Sequence, residues 1–454
     1  MLPEHEQELD RLYAGHVAQL ERRYAEVLGD PRHGWDAVVL HSGSPVKRSA
    51  FDDQYWPLRP VPHWQHWLPL AEPECALVVR PGKRARLVLP ATRSFWERPA
   101  PPPTQAFLTV FEVHRADDPS RVRDAIGGGR VAYIGEDAAR AGSWGLEGDA
   151  FAPLALMRAL DQLRVHKTAY EIACLVEANR RARAGHDALR EAFRAGDASE
   201  LDLHLLFLQA TEQDDAETPY KNIVALGANA AILHHVAYGR RAEKREAESL
   251  LVDAGAGCRG YGADVTRTWV KGTGAAASVF GELVAGLEAM QQRLCGAVRV
   301  GRPYEELHDE SHRQTADVLR AVGVVRGGVS TDEAVAAGIT RSLYPHGLGH
   351  SLGLQTHDVG CGLKPPRPDN PFLRNTTDVA VGQVFTIEPG VYFIDDLTAR
   401  LRAGPAASLV DWRVVDVLAP LGGVRIEDDV HVLWGDAGVR NLTREHLPRG
   451  GGSP

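Results

Sequence analysis

The sequence predicts an α/β protein of two domains, and three observations lead there. At 454 residues the chain is long for a single core. Up to about residue 160, helical periodicity alternates with short apolar strand-like runs. Beyond it, long amphipathic helices mix with alternating strands. Apolar residues are 44% and charged residues 24%, as in ordinary globular chains.

Taken in order, Leu9, Leu12, Val17, Leu20, Tyr24 and Leu28 recur at helical spacing and stop at Gly29-Asp30-Pro31, which predicts an amphipathic helix with a firm end. WDAVVLH (Trp35 to His41) follows as a buried strand. CALVV (Cys75 to Val79) and ARLVLP (Ala85 to Pro90) read as further strands, leading to the loop PAPPPTQ (Pro99 to Gln105) and the strand AYIG (Ala132 to Gly135). Helical periodicity from Tyr170 onward places a domain boundary near residue 160, giving domains 1–160 and 161–454. Val279, Leu283, Leu287, Met290, Leu294 and Val298 mark one later helix, and Pro303 to Leu319 a second. The tail RGGGSP reads as compositionally disordered or as a vector-derived remnant.

Several function classes drop out on composition. A net charge of −9 gives no general attraction to DNA, RNA or anionic lipid, so neither a nucleic acid nor a membrane is expected as partner. Five scattered cysteines without a CxxC pair fit a reducing cytoplasm. The N-terminal PEHEQELDRL is acidic where a secretory peptide would be basic and then apolar, and no apolar run approaches the roughly 18 residues of a membrane helix.

The chemistry gathers in four stretches. YPHGLGHSLGLQTHDVG (Tyr344 to Gly360) holds three histidines, and His346 and His350 stand four apart. On a helix that spacing would present two metal ligands on one face. Gly347, Gly349 and Gly353, at roughly 1 kcal/mol each against helix, place them instead on a loop or short strand. In LLVDAGAGCRGYGADVTRTWV two strand-like pieces flank a glycine-rich turn, so a hairpin brings Asp253 and Asp264 together. Two such aspartates repel unless a proton or cation neutralises them. VFTIEPGVYF places Glu388 on a strand, and in GGVRIEDDVHV alternation sets Val424 and Ile426 inward with Arg425 and Glu427 side by side on the outer face. Two aspartates, two glutamates and one imidazole suit two adjacent Mn, Co, Zn or Fe ions better than a sulfur-rich structural site.

The order VDAGA…GADVTRTW, PHGLGHSLGLQTHDVG, TIEPGVYF, GGVRIEDDV closely resembles the metal-dependent prolidases, or Xaa-Pro dipeptidases, of the pita-bread metallopeptidase group. The branch of bacterial prolidases and organophosphorus acid anhydrolases is especially similar. LYAGHVAQLERRYAEVL and LHSGSPVKRSAFDDQYWP resemble that branch's N-terminal domain, so the resemblance spans nearly the whole chain. It implies an N-terminal α/β domain followed by a pita-bread catalytic domain, binding two divalent ions, manganese foremost, with cobalt, zinc or iron as alternatives.

By this resemblance Asp253 binds one ion, Asp264 and Glu427 bridge both, and His350 and Glu388 complete the second. A metal-bridging hydroxide attacks the carbonyl before proline while Glu388 shuttles the proton. His346 and His357 face the substrate, His234 closes over it, and Leu233, Tyr220 and Arg425 line the pocket. Arg374 in PFLRNTTDV takes the proline carboxylate; three positions on, Thr377 stands where the family commonly has a second arginine. Asp53 in AFDDQYWP, together with Trp96, is expected to reach the partner's pocket in a homodimer. Rival readings are an Xaa-Pro aminopeptidase acting on longer peptides, phosphotriester hydrolysis as a side activity, and a binding protein of this fold without metal.

Overall fold

The computed structural model describes residues 3–91, 105–116, 118–242, 247–362, 364–435 and 438–454. Trp96 and the proline-rich loop up to residue 104 lie outside the described residues. The chain divides into two compact units, Met1–Cys174 and Leu175–Pro454, with the division inside the helix Ala169–Ala195.

In the first unit the helix Pro3–Gly29 buries Leu9, Val17, Leu20, Tyr24 and Leu28 of the predicted stripe, with Tyr13 buried where Leu12 was expected and Leu12 only half-buried. Strands β1 (Ala37–His41), β2 (Ala76–Val79), β3 (Arg86–Leu89), β4 (Glu112–Arg115) and β5 (Val131–Ile134) form one sheet in the order β4-β3-β2-β1-β5. β1 pairs antiparallel with β2 and parallel with β5, and every residue of this inner strand is buried. That burial on both faces is why the run is continuously apolar rather than alternating.

The second unit carries β6 (Ile223–Leu226), β7 (Ala247–Asp253), β8 (Gly257–Cys258), β9 (Tyr261–Gly262), β10 (Thr266–Gly272), β11 (Val384–Ile387), β12 (Gly390–Tyr392), β13 (Gly423–Arg425), β14 (Asp428–Val432), β15 (Val439–Asn441) and β16 (Gly451–Gly452). β7 and β10 are antiparallel with Asp253 opposite Thr266, and the small β8–β9 hairpin forms the turn between them. Gly255 is required there: a methyl group would stand 1.9 Å from the Ala263 carbonyl oxygen. The hairpin thus delivers Asp253 and Asp264 to one end of the sheet.

The C-terminal residues correct the sequence reading. Gly451 and Gly452 are not disordered; they pair in parallel with Thr268 and Trp269 of β10. A Cβ on Gly451 would lie 2.0 Å from the Thr268 carbonyl oxygen, so glycine serves close backbone approach, not flexibility.

β11 pairs with β14 and β12 with β13, and the two ladders are interrupted opposite one another. Ile387 faces Asp428 on one side of the gap and Gly390 faces Arg425 on the other. Within the gap sit Glu388-Pro389 and Ile426-Glu427, where Pro389 has no N–H to donate. The helices Gly274–Gly296 and Tyr304–Ala321 occupy the two stretches where periodicity marks them, and Phe280, Leu283, Leu287, Met290 and Leu294 join Ile387, Val391, Val424 and Ile426 in one core. Arg425 and Glu427 therefore do not face outward as strict alternation implied. Both are buried, because the strand is covered on both sides.

Candidate active site

Each acid is fixed by backbone before its side chain is considered. Glu427 N–H donates to the Thr266 carbonyl at 3.1 Å, and Glu388 N–H to the Leu348 carbonyl at 2.8 Å. The histidine stretch runs beside β11: Thr386 N–H donates to the His350 carbonyl (2.9 Å), and His350 N–H to Thr386 Oγ1 (3.1 Å). Glycine makes that approach possible. A methyl at Gly349 would meet the Thr386 carbonyl oxygen at 2.1 Å, and one at Gly347 the Leu373 Cα at 3.0 Å. The sequence thus needs glycines between its histidines to lay them flat against a strand.

The side chains converge. His350 Nε2 lies 3.3 Å from Asp264 Oδ2, 3.4 Å from Glu388 Oε1 and 4.0 Å from Glu427 Oε1. One ligand atom each from Asp264, His350 and Glu427 lies within 4.8 Å of the others. His350 Nδ1 donates to the Ser351 carbonyl at 3.1 Å, which orients the ring with Nε2 toward the acids. Thr266 Oγ1 donates to Glu427 Oε2 at 2.6 Å, and Thr386 Oγ1 to Glu388 Oε1 at 3.3 Å.

So many buried acids lack compensating charge. Burial, reinforced by Asp264, Glu388 and Asp253, raises Glu427 well above the usual carboxylate range; burial likewise lifts Glu388 to about 7, against the pull of His350 and Arg425. Burial disfavours the charged form of His350, yet Asp264 and Glu388 overcome it and raise the imidazole to about 9. Asp253 Oδ1 is buried and makes no hydrogen bond of normal geometry. An oxygen-rich donor set with one oriented imidazole and an unsatisfied carboxylate oxygen fits hard or borderline divalent cations, which would cancel this strain.

Behind the acids, Thr266 and Tyr392, which the sequence did not single out, join Arg425 and His346 in one hydrogen-bonded chain. Arg425 Nη2 donates to Asp253 Oδ2 at 2.6 Å, its Nε to Thr266 Oγ1 at 3.1 Å and its Nη1 to the Tyr392 hydroxyl at 2.9 Å. Tyr392 in turn donates to His346 Nε2 at 2.8 Å, and His346 Nδ1 donates to the Gly347 carbonyl at 2.8 Å. Both nitrogens of His346 are thereby committed inside the protein. Burial and the Arg425 charge push its pKa down to about 3, so the ring is neutral. The only sequence trace of Thr266 and Tyr392 is their place within the quoted motifs.

Tyr220, Leu233, His234, Asp253, Asp264, His346, His350, His357, Arg374, Glu388, Arg425 and Glu427 all line one cavity of about 480 Å³, together with Lys221, Ile223, Val236 and Phe372. The His357 ring stands perpendicular to His350, centroids 4.4 Å apart. Burial, then the His350 and Arg374 charges, hold His357 down at about 4, also neutral. Burial, then Asp253 and Asp264, raise the Tyr220 hydroxyl well above its usual value. Arg374 is exposed and makes no ion pair with any described residue. Thr377 is turned away from the cavity lining, its hydroxyl donating to Asn375 Oδ1 at 3.1 Å. Asp53 is exposed in the first unit, accepts from Gln54 Nε2 at 3.3 Å and is not among the lining residues; Trp96 lies outside the described residues.

Residues 173–433 match the model of metallopeptidase family M24, and residues 11–162 that of the Xaa-Pro dipeptidase N-terminal domain. The Xaa-Pro dipeptidase of Pseudoalteromonas atlantica is 38% identical over 436 residues, covering 94% of this chain and 96% of the relative. That of Marinobacter nauticus is 40% identical over 440 residues, covering 97% and 99%. The chain belongs to the Xaa-Pro dipeptidase family. Among solved structures, aminopeptidase P from E. coli with the inhibitor Pro-Leu aligns with a TM-score of 0.72 at 23% identity, covering 95% of both chains. The Pseudomonas aeruginosa aminopeptidase PepP aligns at 0.71 with 22% identity, covering 94% of this chain and 95% of its own. The dipeptidase therefore has the N-terminal α/β domain and pita-bread catalytic domain expected from its sequence, and it is a metallopeptidase that uses divalent metal. No helix among its described residues is long and apolar enough to cross a membrane.

Proposed function

We propose that this member of the family hydrolyses Xaa-Pro dipeptides. The observation that supports the reading is the lining of one cavity: Asp253, Asp264, His350, Glu388 and Glu427 meet there, three of them close enough to share an ion, beside Arg374, which has no ionic partner among the described residues. Asp253, Asp264, His350, Glu388 and Glu427 would hold two divalent ions, manganese foremost. Bound there, the ions supply a water of lowered pKa and a Lewis acid for the carbonyl before proline.

The chain's own residues do the rest. Arg374 receives the proline carboxylate through a bidentate, charge-assisted pair. Glu388 accepts the proton of the attacking water and passes it to the proline nitrogen, which carries no hydrogen of its own in the peptide. His357, neutral and unbonded to other described side chains, faces the oxygen on which charge develops. His346 forms the wall beside it, Arg425 holds Asp253 in place, and His234, Leu233 and Tyr220 enclose the first residue.

The same reading takes residues 1–160 as the N-terminal domain and 161–454 as the catalytic domain of a cytoplasmic homodimer. In that dimer Asp53 extends to the partner subunit's cavity. The segment around Asp53 supports this: Phe51 is fully exposed, and Val46, Tyr55 and Trp56 are exposed beside it. The deciding experiment is a panel of Xaa-Pro dipeptides assayed after chelation and re-addition of Mn, Co, Zn or Fe. Inactivity toward every dipeptide with every ion overturns the reading. Faster turnover of an Xaa-Pro tripeptide than of its dipeptide transfers it to the aminopeptidase alternative.

A further inference from the structure

One cation in the cavity wall has no part in the mechanism above. Lys221 follows Tyr220, and two residues on Ile223 pairs with Asp253 across β6 and β7, so the lysine stands at the Asp253 edge of the cavity. Arg374 lies toward His357, on which its charge bears, and His357 stands beside His350. Lys221 Nζ lies 2.7 Å and 3.0 Å from the two oxygens of Asp215 and 5.4 Å from the Tyr238 ring centroid. Asp215 also receives His204 Nε2 at 3.1 Å, and the His204 ring stacks on Tyr238 with centroids 4.5 Å apart. Asp215, His204 and Tyr238 thus brace the lysine, while its side chain remains 43% exposed.

Resting on the dipeptidase reading, we propose that Lys221 selects for an acidic first residue, so that Glu-Pro and Asp-Pro are preferred over Lys-Pro. With its carboxylate on Arg374, a dipeptide extends its first side chain toward Tyr220, Ile223 and Lys221. A carboxylate there meets an ammonium with three donors, not all of which Asp215 occupies; a basic side chain meets like charge. The Asp215 charge and solvent screening keep the effect moderate.

The test measures kcat/KM for Ala-Pro, Glu-Pro and Lys-Pro with the metal-loaded enzyme, its Lys221→Met variant and its Asp215→Asn variant, at low and high salt. In the parent, Glu-Pro should exceed Lys-Pro by on the order of three- to tenfold, compressed by salt. Lys221→Met should abolish that ratio, and Asp215→Asn, which unmasks the ammonium, should enlarge it. A ratio unchanged by Lys221→Met overturns the assignment, as does an equal loss on all three substrates, which would place the lysine on a part they share. Failure of the parent to turn over even Ala-Pro removes the dipeptidase reading itself, and this assignment with it.

Discussion

Gly349→Ala tests whether the glycines between the histidines exist to bring His350 against β11. The added methyl would stand 2.1 Å from the Thr386 carbonyl oxygen and 2.6 Å from the Tyr304 hydroxyl. Neither can yield cheaply, since Tyr304 donates to that same carbonyl at 2.9 Å and Thr386 is locked in β11 opposite Asp429. Restoring ordinary contact moves the 348–350 backbone by about 1 Å, and a misplacement of that size costs on the order of 100-fold in rate. Overpacking should lower stability by about 1–3 kcal/mol. The assay is kcat/KM on Ala-Pro with Mn, alongside metal content by atomic spectroscopy and a denaturant melt. Gly15→Ala is the matched control, because Gly15 sits exposed within the helix Pro3–Gly29 with no heavy atom within 4 Å; it should gain about 0.5–1 kcal/mol and leave kcat/KM unchanged. If Gly349→Ala keeps kcat/KM within about twofold of the parent and full metal content, close approach at this position does not set the ligand geometry, and the argument fails.

Three further outcomes are expected. Arg374→Ala should raise KM for Ala-Pro about 10- to 100-fold, the worth of a charge-assisted pair, yet scarcely change the already poor turnover of Ala-Pro amide; equal losses on both would make the arginine structural. Asp264→Ala should abolish activity and lower bound metal together, because water cannot replace a carboxylate's charge, whereas Glu388→Gln that retained metal but lost turnover would assign Glu388 chiefly to proton transfer. Thr266→Val removes the 2.6 Å donor to Glu427 and the acceptor for Arg425, and should weaken metal affinity about 10- to 100-fold in an activity titration; unchanged affinity would reduce Thr266 to packing.

The four acids stood out in the sequence because each interrupts an apolar or glycine-rich run in which a charge has no structural reason to sit, whereas His350 was set apart from His346 and His357 only by the resemblance to prolidases. Asp253 and Asp264 could even be brought together, since a hairpin is a local event. What stayed hidden depends on contacts between distant segments. The inward turn of Arg425 follows from cover on both faces of its strand, which two-residue alternation cannot express. The chain from Arg425 through Tyr392 to His346 joins residues 33 and 46 positions apart by hydroxyl and ring edges, with no periodic signature. Gly451 misled for a related reason: glycine that permits close approach and glycine that confers flexibility look alike until the neighbouring strand is known.

That pairing of Gly451 and Gly452 with β10 sets a schedule for the chain as it is made. β10 ends at Gly272, so the strand that follows Asp264 keeps one edge bare while the next 179 residues are synthesised, roughly 10–35 s at about 5–20 residues per second. Through that interval Thr268 and Trp269 present unpaired backbone groups, a template for joining the edge of another nascent chain. Glu388 and Glu427 also emerge well after β10, so the segments that bring the acids together and the strand that covers the sheet are made long after the hairpin they join. The acids can therefore come together only once Glu427 has been made, and a chain halted before residue 451 lacks the strand that closes the β10 edge.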